Sequence, residues 1–325
     1  MNVRPPTLPS SLLVATLVWV LLAAPLSAWA HDSPEHVVEA LTEQMKQTGV
    51  TAELLYRRAT ELRVLRRYDE AAADLQRALQ LNPDHLDARA ALGRVYLSQG
   101  KGAAALVTLD DALGQAGVGD QASSLLMIRA EIRWALGATN EALADCERAM
   151  EEGRIPLDWY LMRSHFQLGL GRTREAVQGL RDGFDRTGSF VLETEWIEAM
   201  IDDRQWVQAL EAIEPQLQAS KWKSAWLVRR ARARLGQGHE SAAKADLQQA
   251  LAEMDSRLSS EHPDLMMLAD RGLAHMLMGD REMAMQDLER ARQLGGDTWL
   301  LGRLEKALGQ DGLAAGQGKD AHVGK

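Results

Sequence analysis

The chain has 325 residues, 46% of them hydrophobic, with 37 Lys and Arg against 46 Asp and Glu, a formal charge of −9. An acidic balance without long single-sign runs argues against nucleic acid or anionic lipid as the main partner. Cys146 is the one cysteine, so neither an intramolecular disulfide nor a thiolate metal cluster can form within the chain.

Residues 1–30 read as a secretory signal. Arg4 precedes an apolar run from Leu12 to Ala24, then come Pro25 and the small-residue site Ala28-Trp29-Ala30. The run is short for a bilayer span, which needs about 20 apolar residues. The mature chain is therefore expected to begin at His31 and to be a soluble periplasmic protein, the alternative being that the segment is kept as an uncleaved membrane anchor. Residues 31–50 are expected to form a capping helix, with Ser33-Pro34-Glu35 as its start and Val37, Leu41 and Met45 on one face.

From residue 51 to 296 one pattern recurs at intervals of about 34 residues. Its clearest copy runs from Ala52 to Pro83, with Ala59, Leu62, Ala71, Leu75, Ala78 and Pro83 placed for two antiparallel helices. Further copies begin near residues 86, 123, 157, 190, 224 and 265. The second carries Gly93, Ala105, Leu109 and Ala112, and the third Ala130, Ala142, Cys146 and Ala149. The fourth has Ser164, Ala176, Leu180 and Gly183; the sixth Ala231, Ala243, Leu247 and Ala250; the seventh Gly272, Ala284, Leu288 and Ala291. Small side chains at these places let helices approach closely. Cys146 stands where Leu75 and Leu109 stand elsewhere, as a buried hydrophobe. The fifth copy departs, with Ile197 for the small residue and Gln216 for alanine; Trp196, Trp206, Trp222 and Trp226 around it are expected to fill a wider gap. Extra residues at 114–122 and 256–263 read as linkers. Gly100, Gly102, Gly169, Gly171, Gly236, Gly238 and Gly279 read as turns between paired helices. A second capping helix is expected at 297–309, with Leu300, Leu304 and Leu308 spaced by four, before a polar, glycine-rich disordered tail at 310–325.

A hairpin of this kind cannot bury its apolar face alone, so the copies must stack. The pattern of small residues at the eighth, twentieth and twenty-seventh places resembles the tetratricopeptide repeat family. That resemblance implies an all-α fold, a right-handed superhelical solenoid of about seven helical hairpins with capping helices at both ends. It also implies a non-enzymatic scaffold whose concave groove, lined by the first helix of each hairpin, holds a protein or peptide. Carried onto this chain, the groove places include Tyr56, Arg57, Arg94, Met127, Glu131, Trp134, Leu161, His165, Glu198, Arg229, Arg232 and Asp270. The two-carboxylate clamp of chaperone-binding members is missing, because Tyr56 and Thr60 stand where its lysine and asparagine would be.

Catalytic signatures are lacking in the sequence: His239-Glu240 has no second histidine for a metalloprotease motif, and no nucleophile elbow or phosphate loop occurs. No cofactor is implied. The alternative to a scaffold is a copper-binding or copper-delivery protein. It would use His31 as an N-terminal chelator and the soft thioethers of Met276, Met278, Met283 and Met285, which otherwise serve as flexible core fillers.

Overall fold

The computed structural model describes residues 33–151, 155–258, 264–296 and 301–309. Within them the regular elements are all helices, grouped in two compact units that divide between Ala149 and Met150. Helices in such an array contact near neighbours in sequence, so compactness is a local property and the array divides.

The first unit opens with α1 (Pro34–Thr48), started by Ser33, whose hydroxyl accepts from the His36 N–H at 3.5 Å. Val38, Leu41 and Met45 are its buried face, with Val37 only partly covered. Three hairpins follow: α2 (Ala52–Val64) with α3 (Tyr68–Leu81), α4 (Leu86–Ser98) with α5 (Gly102–Ala116), and α6 (Asp120–Ala135) with α7 (Thr139–Ala149). The stretch read as a linker at 114–122 is mostly helical; α5 and α6 absorb it and leave only residues 117–119 between them.

The second unit stacks α8 (Leu157–Gly169) with α9 (Thr173–Thr187), α10 (Phe190–Asp202) with α11 (Trp206–Ala219), α12 (Ser224–Gly236) with α13 (Glu240–Arg257), and α14 (Leu265–Leu277) with α15 (Arg281–Gln293). A last helix, α16, is described over residues 301–309. Its Leu301, Leu304 and Leu308 close the core formed by Leu268, Ala284, Leu288 and Ala291. The signal segment and His31, part of the second linker, residues 297–300 and the tail lie outside the described residues.

Small residues set the closeness of each hairpin. Ala71, Ala105, Ala142, Ala176, Ala209, Ala243 and Ala284 all sit fully buried on the second helices. A methyl added to Gly93 would come 2.0 Å from a Leu109 methyl carbon, so glycine permits that crossing. Cys146 is also fully buried.

The turns within hairpins need one left-handed residue each. Glycine fills it at Gly100, Gly137, Gly171, Gly238 and Gly279, but Arg66 (φ 58°) and Arg204 (φ 61°) fill it in the first and fifth hairpins. A side chain there crowds its own carbonyl, and both arginines are exposed. Arg66→Gly and Arg204→Gly should each therefore raise stability by about 0.5–1 kcal/mol, the strain relieved exceeding the entropy glycine adds to the unfolded chain. Urea unfolding of the two variants checks this, and a loss in both would refute it.

A second device was not expected from the sequence. Arg58, Arg129, Arg230 and Arg271 occupy the seventh place of their repeats, counted from residues 52, 123, 224 and 265. Each grips an aspartate 16 residues later with two hydrogen bonds: Asp74, Asp145, Asp246 and Asp287, at 2.6–3.0 Å. These carboxylates are buried between the two helices. Three of the arginines also reach back to an acid on the preceding second helix: Arg129 to Asp110 at 2.6 Å, Arg230 to Glu214 at 3.2 Å and Arg271 to Asp255 at 2.9 Å. Each such arginine thus ties its own hairpin together and fastens it to the one before. In the fourth hairpin Gly179 replaces the aspartate, and Arg163 donates to its backbone carbonyl at 3.1 Å.

The fifth hairpin lacks this clamp, having Trp196 at the arginine's place. Aromatic packing substitutes for it. Trp196 stacks on Phe184 with Arg181 4.4 Å above its ring, and Trp226 meets Phe190 edge-on at 5.7 Å. Trp206 lies against Gly236. Ile197 is fully buried, and Gln216 is held by Glu193 at 2.7 Å. Only Trp222 is largely exposed, and Arg257 covers its face at 4.3 Å.

Candidate functional site

The first helices of successive hairpins lie side by side, α2 with α4 and α4 with α6 in the first unit, and α8 with α10, α12 and α14 in the second. Their inward places build two different surfaces.

In the second unit the surface is filled by its own charges. Glu198 of α10 is 3% exposed and Arg229 of α12 is 5% exposed. Glu198 pairs with Arg229 at 3.0 Å, with Arg232, and with Arg303 of α16 at 3.3 Å. Arg303 also holds Glu195 at 2.6 Å, Arg232 holds Asp202 at 3.0 Å, and Asp270 of α14 stands 3.8 Å from Arg229. Burial alone would push the Glu198 carboxyl up, but Arg232, Arg303 and Arg229 together hold it well below the usual carboxylate range. For Asp270 burial wins over Arg229, and its pKa is raised. The cavity left among Glu195, Glu198, Arg229, Asp270 and Arg303 is about 40 Å³, which suits a water molecule rather than a peptide.

Glu198, Arg229 and Arg232, which lie on first helices, are thus each paired within the unit. What the sequence reading lacked was the set of neutralising partners, above all Arg303, which reaches Glu195 across 108 positions of sequence. No local pattern announces that contact.

The first unit's inner surface is open. Tyr56 of α2 is half-buried, its ring 5.1 Å from His85, which in turn stands 3.5 Å from Glu53. Burial raises the Tyr56 phenol pKa, Asp87 and Glu53 add to the rise, and Arg94 opposes it. Arg57 is exposed. Arg94 of α4 makes a two-pronged contact to Glu131 of α6 at 3.2 and 3.3 Å, and both side chains keep over a third of their surface exposed. Trp134, one turn further along α6, is half-buried, whereas Met127 is core. Between the starts of α4 and α6 lies a cleft of about 160 Å³ lined by Leu86, Ala90, Leu125 and Ile128 and by the exposed Asp87, Asp120, Gln121 and Ser124. The sequence reading missed this cleft, because it depends on how two helices splay.

On α8 in the second unit, His165 is exposed and Leu161 half-buried. The methionine pairs divide between environments: Met276 is buried, Met278 and Met283 are half-buried, and Met285 is exposed. That placement lends the copper reading no support.

Stacked helical hairpins sealed by alanines at fixed places, with a side-chain-lined inner face, are the fold seen in tetratricopeptide repeat proteins. The tetratricopeptide repeat family matches residues 65–126 of this chain. Protein FlbA of Caulobacter vibrioides is 35% identical over 129 residues, which are 39% of this chain and 21% of that protein. Among solved structures, a tetratricopeptide repeat protein from Parabacteroides merdae aligns with a TM-score of 0.54 at 19% identity, covering 79% of this chain and 98% of that one. The C-terminal part of a TPR repeat-containing protein from Cytophaga hutchinsonii gives 0.53 at 14% identity, covering 76% and 98%. At such identities the likeness is one of fold, and function has to be argued from the site. No helix among the described residues is long and apolar enough to cross a membrane.

Proposed function

We propose that the chain is a non-enzymatic scaffold, exported to the periplasm, that holds a segment of another envelope protein against the inner face of its first unit. One contrast carries the reading. The second unit's inward charges are buried against one another, whereas Arg94 and Glu131, though paired, keep over a third of their side-chain surface exposed, Arg57 is exposed, and Tyr56 and Trp134 are only half-buried. Aromatic anchors beside hydrogen-bonding arginine suit an extended peptide or a partner helix. Export rests on the signal at residues 1–30. It is checked by fractionation and N-terminal sequencing, with His31 as the expected first residue and an intact Met1 in membrane pellets as the refuting one.

Binding is tested by selecting peptides from a displayed random library on the full chain. Trp134→Ala should weaken the selected peptides by about 1–3 kcal/mol with helicity unchanged. Gln76→Ala and Glu289→Ala, on exposed parts of second helices, should do nothing. Equal losses from all three variants would place the binding surface elsewhere.

A further inference from the structure

We infer that the cleft between α4 and α6 is a subsite for one long cationic side chain, arginine or lysine, of the bound segment; this rests on the scaffold reading above. Leu86 and Ala90 on one helix and Leu125 and Ile128 on the other give it an apolar floor, with Gln121 and Ser124 beside them. They suit the methylene stem that such a side chain buries while its head stays near water. At the mouth stand Asp87 and Asp120, both exposed, and neither forms an ion pair among the described residues.

Acids in the first turn of a helix are ordinary, because the helix start favours negative charge. By themselves they define nothing. The subsite comes from a largely apolar slot set between two of them, a combination that suits a side chain with an oily stem and a positive head. An acidic residue would meet like charge at the rim. A purely aliphatic one would shed water from both carboxylates without returning a hydrogen bond.

The test uses library-selected peptides and the full chain. Selected sequences should share one arginine or lysine. Replacing it by citrulline or norleucine should weaken binding about three- to tenfold, as should the Asp87→Asn/Asp120→Asn double variant, because exposed charge pairs are individually weak. Combining the two changes should cost little more than either alone. Selected peptides without a basic position, or losses that simply add, would overturn the subsite and leave the scaffold intact. Failure to select any peptide, or binding indifferent to Trp134→Ala, would overturn the scaffold reading and the subsite with it.

Discussion

Replacing Asp145 by alanine is expected to destabilise the first unit by about 3–5 kcal/mol, because it leaves two arginines in a poorly solvated place without their anion. The Asp145 side chain is 2% exposed and accepts from Arg129 at 2.6 and 2.7 Å and from Arg133 at 2.5 Å. Asp110, which also touches Arg129, is mostly exposed; its loss should cost under about 1 kcal/mol, since water screens that pair. The joint change Arg129→Met with Asp145→Leu should recover part of the loss, because the more buried of the two arginines is removed with its anion, while Arg133, 24% exposed, can turn to water. Urea unfolding, with hydrogen exchange along α6 and α7 to localise the effect, distinguishes these variants. Equal costs for Asp145→Ala and Asp110→Ala would show that the clamp does not lock the hairpin.

That clamp marks the boundary of what the amino-acid order discloses. Ala130, Ala142 and Ala149 are legible because a helix's own period places them, and all three are fully buried. The paired arginine and aspartate recur at the same 16-residue interval in four hairpins. Yet charges on amphipathic helices ordinarily mark wetted faces. Only the turn geometry brings the repeat's seventh place against the second helix. The inner surface has the same limit. Helix position identified Arg94, Glu131 and Trp134 as inward, and equally Glu198, Arg229 and Arg232. Whether an inward charge is available depends on neighbours several helices away, and in the second unit those neighbours are carboxylates and Arg303. The fifth hairpin shows a compensation that is legible only in part. Tryptophans near residues 196–226 suggest a gap to fill, but not that Trp196 replaces an arginine clamp.

The largest effect in the second unit should come from Glu198→Gln. Three arginines converge on this carboxylate, and Arg229 has little solvent to turn to once the charge is gone. Losing a fully buried partner should cost about 3 kcal/mol or more near neutral pH. By contrast, Asp202→Asn, at the network's more exposed edge, should cost under about 1 kcal/mol. The pH dependence carries its own sign. The folded-state pKa of Glu198 lies below its ordinary 4.5, so its stabilisation is complete above that value and drains away as pH falls through the folded value. Asp270 works in the opposite sense. Burial raises its pKa above 3.8, so the folded state favours its neutral form, and that contribution is present in acid and lost as pH rises. Glu198 has three cationic partners to Asp270's one contact with Arg229, so the acid side of the stability curve should follow Glu198. Urea midpoints of wild type and Glu198→Gln should therefore differ most near neutrality and begin to converge only as pH falls below about 4.5. Exchange protection of α10, α12 and α16 amides should fall together in the variant, because one carboxylate joins all three helices. A gap that stays constant from neutral to acid pH would mean that Glu198 acts through packing rather than through its charge.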